Sequence, residues 1–177
     1  MFPKAHAAAY VMSAFRIAYY KVHNPIVYYA TYFSTRFNDF DIQAMINGYE
    51  AIKNKMIEIN NKGFDASNKE ASVLETLKLS LEATARGINF GNLDLMKSHS
   101  KNFTISEDGK TLIPPFRSID GLGDVVANNI YEEAQKRPFI SVEDFQKRTK
   151  SSTTLIDKMR AMGLFNGLPE TSQLSLF

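Results

Sequence analysis

The chain has 177 residues, a net charge of +2 at neutral pH, 44% apolar residues and 23% charged ones, the balance of a folded chain rather than a disordered one. It has no cysteine, which excludes disulfides, thiolate zinc sites and cysteine nucleophiles and fits a reducing, cytoplasmic setting. No stretch of about 18 apolar residues occurs and the start lacks an export-signal pattern, so a chain neither exported nor membrane-spanning is expected; any grip on nucleic acid must come from local placement of amides and a few cations.

Met1-Phe2-Pro3 leads directly into a helical pattern with no capped entry, as though cut from something larger. From residue 5 to 23, Tyr10, Ala14, Ile17 and Lys21 keep helical spacing beside Val11, Phe15 and Ala18, predicting one long amphipathic helix. Asn24-Pro25 breaks it and starts a second helix running to about Phe33. Asp39 and Asp41 offer N-caps for a third, in which Ile42, Met45, Ile46, Ala51, Ile52, Met56 and Ile59 face inward until Gly63 stops it. Ser67-Asn68-Lys69-Glu70 has the capping-box pattern, with Val73, Leu74, Leu77, Leu81 and Ala85 as the apolar stripe and Gly87 as the end.

Beyond Gly87 the pattern changes. Ile88, Phe90 and Leu93-Asp94-Leu95 alternate as strands do, and Phe103-Thr104-Ile105 joins Thr111-Leu112-Ile113 through a polar turn, predicting a small hairpin. After Pro114-Pro115, Asp124 opens a helix, and Ser141-Val142-Glu143-Asp144 and Thr154-Leu155-Ile156-Asp157 have the look of capping boxes for two more, with Gly163 as a stop. From Asn166 the periodicity is lost, and an extended tail is expected. The fold class is therefore mainly α with a small β-hairpin element.

Three motifs bear on chemistry. In Gly121-Leu122-Gly123, two glycines around an apolar anchor allow a tight hairpin whose amides, at the start of a helix, can hold a phosphate oxygen. The bland reading is a turn that caps a helix. This hairpin resembles a helix-hairpin-helix, which grips the DNA backbone without reading sequence. A second hairpin through Lys150-Ser151-Ser152 lacks glycines; Lys147, Arg148 and Lys150 either supply the grip in their place or form a solvated face. Lys4 and His6 precede a helix, where cations beside terminal amides suit an anionic ligand such as a triphosphate, though such residues near a chain end are commonly just surface. The chain ends in Gln173-Leu174-Ser175-Leu176-Phe177. Burial of the three apolar side chains on a partner is worth about 5–9 kcal/mol before ordering costs, a micromolar tether or weaker. Folding back onto the chain's own domain is the alternative. The order of these five resembles the peptide with which bacterial replication proteins enter the cleft of the ring-shaped sliding clamp.

Together, Phe2-Pro3-Lys4-Ala5-His6-Ala7-Ala8-Ala9-Tyr10, Ile17-Ala18-Tyr19-Tyr20-Lys21-Val22-His23, Leu112-Ile113-Pro114-Pro115-Phe116, Gly121-Leu122-Gly123 and the terminal pentapeptide resemble the C-terminal region of the PolC-type DNA polymerase III alpha subunit, a bacterial C-family replicative polymerase. The resemblance implies a helical end of the fingers over residues 1–63, a connector with the hairpin over 64–113, a duplex-binding helix-hairpin-helix module over 114–165 and a clamp-binding tail over 166–177. It implies that Lys4 and His6 approach the triphosphate of the incoming dNTP. It also implies double-stranded DNA, the sliding clamp (beta subunit) and the rest of the polymerase chain as partners. The Mg2+ ions of the parent polymerase are held by palm aspartates that this chain does not contain, so no activity is expected of it alone. Asp39-Phe40-Asp41 has Asp-x-Asp spacing but introduces a helix and reads as capping. The remaining alternatives are a stand-alone clamp adaptor and an unrelated helical enzyme, for which no nucleophile, phosphate loop or metal pattern speaks.

Overall fold

A computed structural model describes residues 3–171. Among them are eight α-helices and one three-stranded sheet, in the mainly α arrangement expected. No helix of the described residues is long and apolar enough to cross a membrane.

Helix α1 (Lys4–His23) forms as its spacing predicts, but none of its residues is buried, and Phe15 is 73% exposed. The apolar stripe therefore finds no cover within the described chain. The helix leans on α2 (Pro25–Arg36), and its last turn is tied down where Lys21 meets Glu82 at 2.8 Å and lies 5.4 Å over the Tyr28 ring. Helix α2 begins at Pro25 as expected and runs three residues past Phe33.

The expected third helix is two. Helix α3 (Ile42–Ile46), capped by Asp41 through a 3.0 Å bond from the Ala44 amide, ends at Asn47-Gly48, and α4 (Tyr49–Lys62) starts afresh. Gly48 sits at φ 84°, a conformation that costs other residues dearly, and the Asn47 side chain takes the Gln43 carbonyl. Inward spacing persists across the break, with Ile42, Met45, Ile52 and Ile59 all buried, so periodicity alone hides it. Helix α5 (Asn68–Ala85) has the capping box in full: the Ser67 hydroxyl accepts from the Glu70 amide, and the Glu70 carboxylate accepts from the Ser67 amide.

The sheet holds the predicted hairpin, β2 (Thr104–Ile105) antiparallel to β3 (Thr111–Ile113). A third strand, β1 (Asn89–Phe90), lies parallel to β3 on its other side, pairing Phe90 with Leu112. Leu93-Asp94-Leu95 is not a strand. The Asp94 carboxylate accepts from the amides of Met96 and Lys97 at 2.7 and 3.0 Å, which curls the chain into a turn while both leucines stay buried.

The last third contains α6 (Asp124–Lys136), α7 (Val142–Thr149) and α8 (Thr153–Ala161). Helix α8 is capped by Ser152, whose hydroxyl accepts from the Leu155 amide, and not by Thr154, which already lies in the first turn of the helix. The tail is not loose as far as it is described. The carbonyls of Pro169 and Glu170 accept from the amides of Val142 and Glu143 at 3.0 Å each, laying the chain along the start of α7.

One apolar cluster runs through the whole body, from Tyr29 and Phe33 to Phe145 and Phe165. Phe33 meets Phe90 and Phe103 at 5.4 Å each, joining α2 to the sheet. Arg117 donates to the Phe37 carbonyl at 2.8 Å and to Asn38 at 2.7 Å, fastening the segment before the glycine hairpin to the helical unit.

Candidate nucleic-acid interface

The Gly121-Leu122-Gly123 turn connects a 3-10 turn, Phe116–Ser118, to α6. Leu122 is buried and its amide donates to the Ile119 carbonyl at 3.0 Å, so the apolar residue anchors the turn as its sequence suggests. The two glycines have different duties. Gly121 adopts φ 80°, the left-handed region where an L side chain is strained. Gly123 has ordinary extended backbone at φ −75° and is the N-cap of α6, with no side chain to satisfy the helix's first amides. A Cβ on Gly123 would meet nothing within 4 Å, so its surroundings are open. Uncapped amides at an open helix start, together with the positive end of the helix dipole, suit an anion.

Two carboxylates stand close to this turn, Asp120 before it and Asp124 at the first position of α6, both exposed. Asp120 pairs with the Lys69 ammonium from α5, which holds its carboxyl below the usual carboxylate range against a smaller upward pull from burial. Lys158 of α8 donates to the Asp120 carbonyl at 3.0 Å, and its nitrogen lies 3.5 Å from where a Cβ on Gly121 would stand. Sequence reasoning missed both lysines, which lie 51 and 38 residues from Asp120, and no local pattern could have found them.

Helices α7 and α8 form the second hairpin. Lys150 occupies the left-handed position at φ 55°, ψ 31° that glycine would normally take, and its amide donates to the Gln146 carbonyl. Ser151 is buried against the Thr149 hydroxyl at 2.7 Å, and Asn129 of α6 donates to the Thr149 carbonyl at 2.6 Å, cross-linking the two hairpins. Lys147 and Lys150 are exposed; Lys147 forms an i,i+4 pair with Glu143 at 2.6 Å.

Arg148 points inward, with its side chain 12% exposed. Its guanidinium meets Glu133 at 3.1 Å and Asp144 at 3.3 Å, donates to the carbonyls of Glu133, Arg137 and Pro138, and lies 4.4 Å over the Phe139 ring. Lys136 and then Arg148 hold the Glu133 carboxyl low; for Asp144, burial pushes upward but Arg137, the Ile140 amide and Arg148 outweigh it. This guanidinium joins α6 to α7.

Lys4 and His6 lie exposed in the first turn of α1, where the His6 ring meets Tyr10 at 4.5 Å and no acidic residue is present. They belong to a helix that packs on α2, not to the hairpins. The peptide Gln173-Leu174-Ser175-Leu176-Phe177 lies outside the described residues. Asp41 caps α3, as its position suggested, while the Asp39 carbonyl accepts from the Thr76 hydroxyl at 2.8 Å. Among the described residues no group of three or more His, Asp or Glu gathers to hold a metal.

Residues 87–174 match the model of the helix-hairpin-helix motif. The whole chain aligns with curated proteins called DNA polymerase III PolC-type. It is 51% identical to those of Halalkalibacterium halodurans, Listeria innocua and Bacillus subtilis over 177 residues, all of this chain and 12% of each relative. It thus spans about an eighth of the length of the curated relatives it matches. An identity this high, unbroken from end to end and joined to a helix-hairpin-helix whose turns the structure forms, means that the chain belongs to the PolC-type DNA polymerase III family.

Proposed function

We propose that this chain is the part of a bacterial replicative polymerase that holds the DNA duplex through its helix-hairpin-helix module and docks on the sliding clamp through residues 173–177. The observation that carries the duplex reading is the open, uncapped start of α6 behind a left-handed glycine, within a segment that matches the helix-hairpin-helix motif. The amides at that start contact a phosphate oxygen, Lys147 and Lys150 add backbone contacts from the second hairpin, and Arg148 positions that hairpin from within. Such contacts fix position on the duplex without reading bases.

The clamp reading rests on the order Gln-Leu-Ser-Leu-Phe and on the polymerase family to which the chain belongs. Lys4 and His6, beside uncapped amides at the start of α1, serve the triphosphate of the incoming dNTP in the full polymerase. The aspartates and Mg2+ of nucleotidyl transfer belong to other parts of the polymerase, and this chain alone does not extend a primer. Its working compartment is the cytoplasm.

The test separates the two attachments. Deleting residues 173–177 is expected to abolish binding to a purified sliding clamp and to leave duplex affinity within about twofold, since the peptide and the hairpins are separate contacts. Equal losses in both assays would make the tail structural and remove the clamp from the account.

A further inference from the structure

The glycine turn does not face the solvent with amides alone. Lys69 reaches it from α5 and Lys158 from α8, and both are held by one residue, Asp120: the first through its carboxylate, the second through its carbonyl. The Lys158 nitrogen overhangs Gly121, 3.5 Å from the position of a Cβ there. A shallow cleft of about 330 Å³ opens beside them, lined by Lys69, Arg117, Asp120 and the hairpin residues. Arg117 is already engaged with Phe37 and Asn38, so Lys69 is the lining cation of this cleft that is held only by Asp120, and Lys158 stands over Gly121 beside it.

We infer that Lys69 and Lys158 form a two-lysine clamp for a second phosphate of the same DNA strand, and that Asp120 occupies the clamp until the duplex displaces it. The inference rests on the duplex-binding reading above. The chemistry favours the exchange. Lys69 and Asp120 have side chains 54% and 70% exposed, and an ion pair so exposed gains little over water. A phosphodiester offers each ammonium a charge-assisted hydrogen bond, which at Lys158 replaces one to a neutral carbonyl, and its binding releases condensed counterions besides. Two lysines facing the phosphate also offset the repulsion that Asp120 and Asp124 exert on it. The DNA-free chain thus carries its own stand-in for the phosphate, which suppresses adventitious anions and yields to a polyanion that delivers several contacts at once.

The experiment uses the whole chain, a fluorescently labelled mixed-sequence duplex and a KCl series. Lys69→Gln and Lys158→Gln are each expected to reduce the slope of log affinity against log salt by about 0.9, with unchanged thermal unfolding. Asp120→Asn is expected to raise affinity, and the gain is expected to vanish when Lys69→Gln is also present. Slopes unchanged by both lysine substitutions, in a chain whose binding is still weakened by Gly123→Ser, would overturn the clamp and leave the hairpin reading standing. A gain from Asp120→Asn that persists undiminished without Lys69 would mean that Asp120 merely repels DNA, and would also overturn it. If the unaltered chain showed no duplex affinity, both readings would fall together.

Discussion

Truncating Phe145 tests whether the hairpin module stands on its own. Phe145 is fully buried where Phe139, from the loop before α7, and Phe165, from the turn after α8, meet its ring edge-to-face, each with centroids 5.0 Å apart. Phe145→Ala removes the ring from a site that these neighbours cannot refill, a cost of about 4 kcal/mol, as for other buried phenylalanines. That is a large share of the roughly 5–15 kcal/mol by which folded proteins are stable. With a urea dependence of about 2 kcal/mol per molar, the unfolding midpoint is expected to fall by about 2 M. Because the apolar cluster is continuous from Tyr29 to Phe165, the loss should destabilise the body as one unit. Circular dichroism and the fluorescence of the chain's 8 tyrosines, which no tryptophan obscures, are expected to report one coincident transition. Two separate transitions, only one of them moved, would show that the module unfolds independently and refute the continuous-core argument.

Two further predictions follow from single residues. The Lys62 ammonium, aided by the amide and hydroxyl of Ser67, lowers the Glu70 carboxyl to about 2. A depressed carboxyl contributes stability above its unfolded value of about 4.3 and loses it as pH falls toward the folded value. Glu70→Gln is therefore expected to lower the melting temperature at neutral pH and to flatten its decline between these two values; parallel curves for the two proteins would contradict the assignment. Lys150→Gly relieves a left-handed side chain while deleting an exposed charge. Stability is expected to hold or rise, and the salt slope of duplex binding to drop by about 0.9, whereas an unchanged slope would take Lys150 out of the DNA contact.

The features legible in the sequence are those fixed over a few residues. Asn24-Pro25, the Ser67 capping box, the strand pair around Asp108-Gly109 and the Gly121 turn all appear where local chemistry places them. Misread elements were decided by a competing local bond or by a distant partner. Gly48 interrupts a helix whose inward spacing continues through it, and the Asp94 carboxylate folds an alternating run into a turn. Strand β1 pairs with β3 across twenty residues of intervening chain, and nothing in Asn89-Phe90 declares that partner. The same limit applies at the candidate site. A cluster of Lys147, Arg148 and Lys150 reads as one basic patch, but helical rotation turns Arg148 inward to Glu133 and Asp144 while Lys147 stays in solvent. Helix α1 shows the converse, an amphipathic pattern that the described chain leaves uncovered.

The most direct measurement concerns Gly123. Serine fits its extended backbone and open surroundings, and supplies the side-chain cap that α6 lacks, without adding charge. If the amides at that helix start hold a DNA phosphate, Gly123→Ser will leave thermal stability equal or higher by a few tenths of a kcal/mol while weakening duplex affinity severalfold, because the hydroxyl then occupies the donors. An affinity equal to that of the unaltered chain would show that the hairpin's backbone does not touch the duplex.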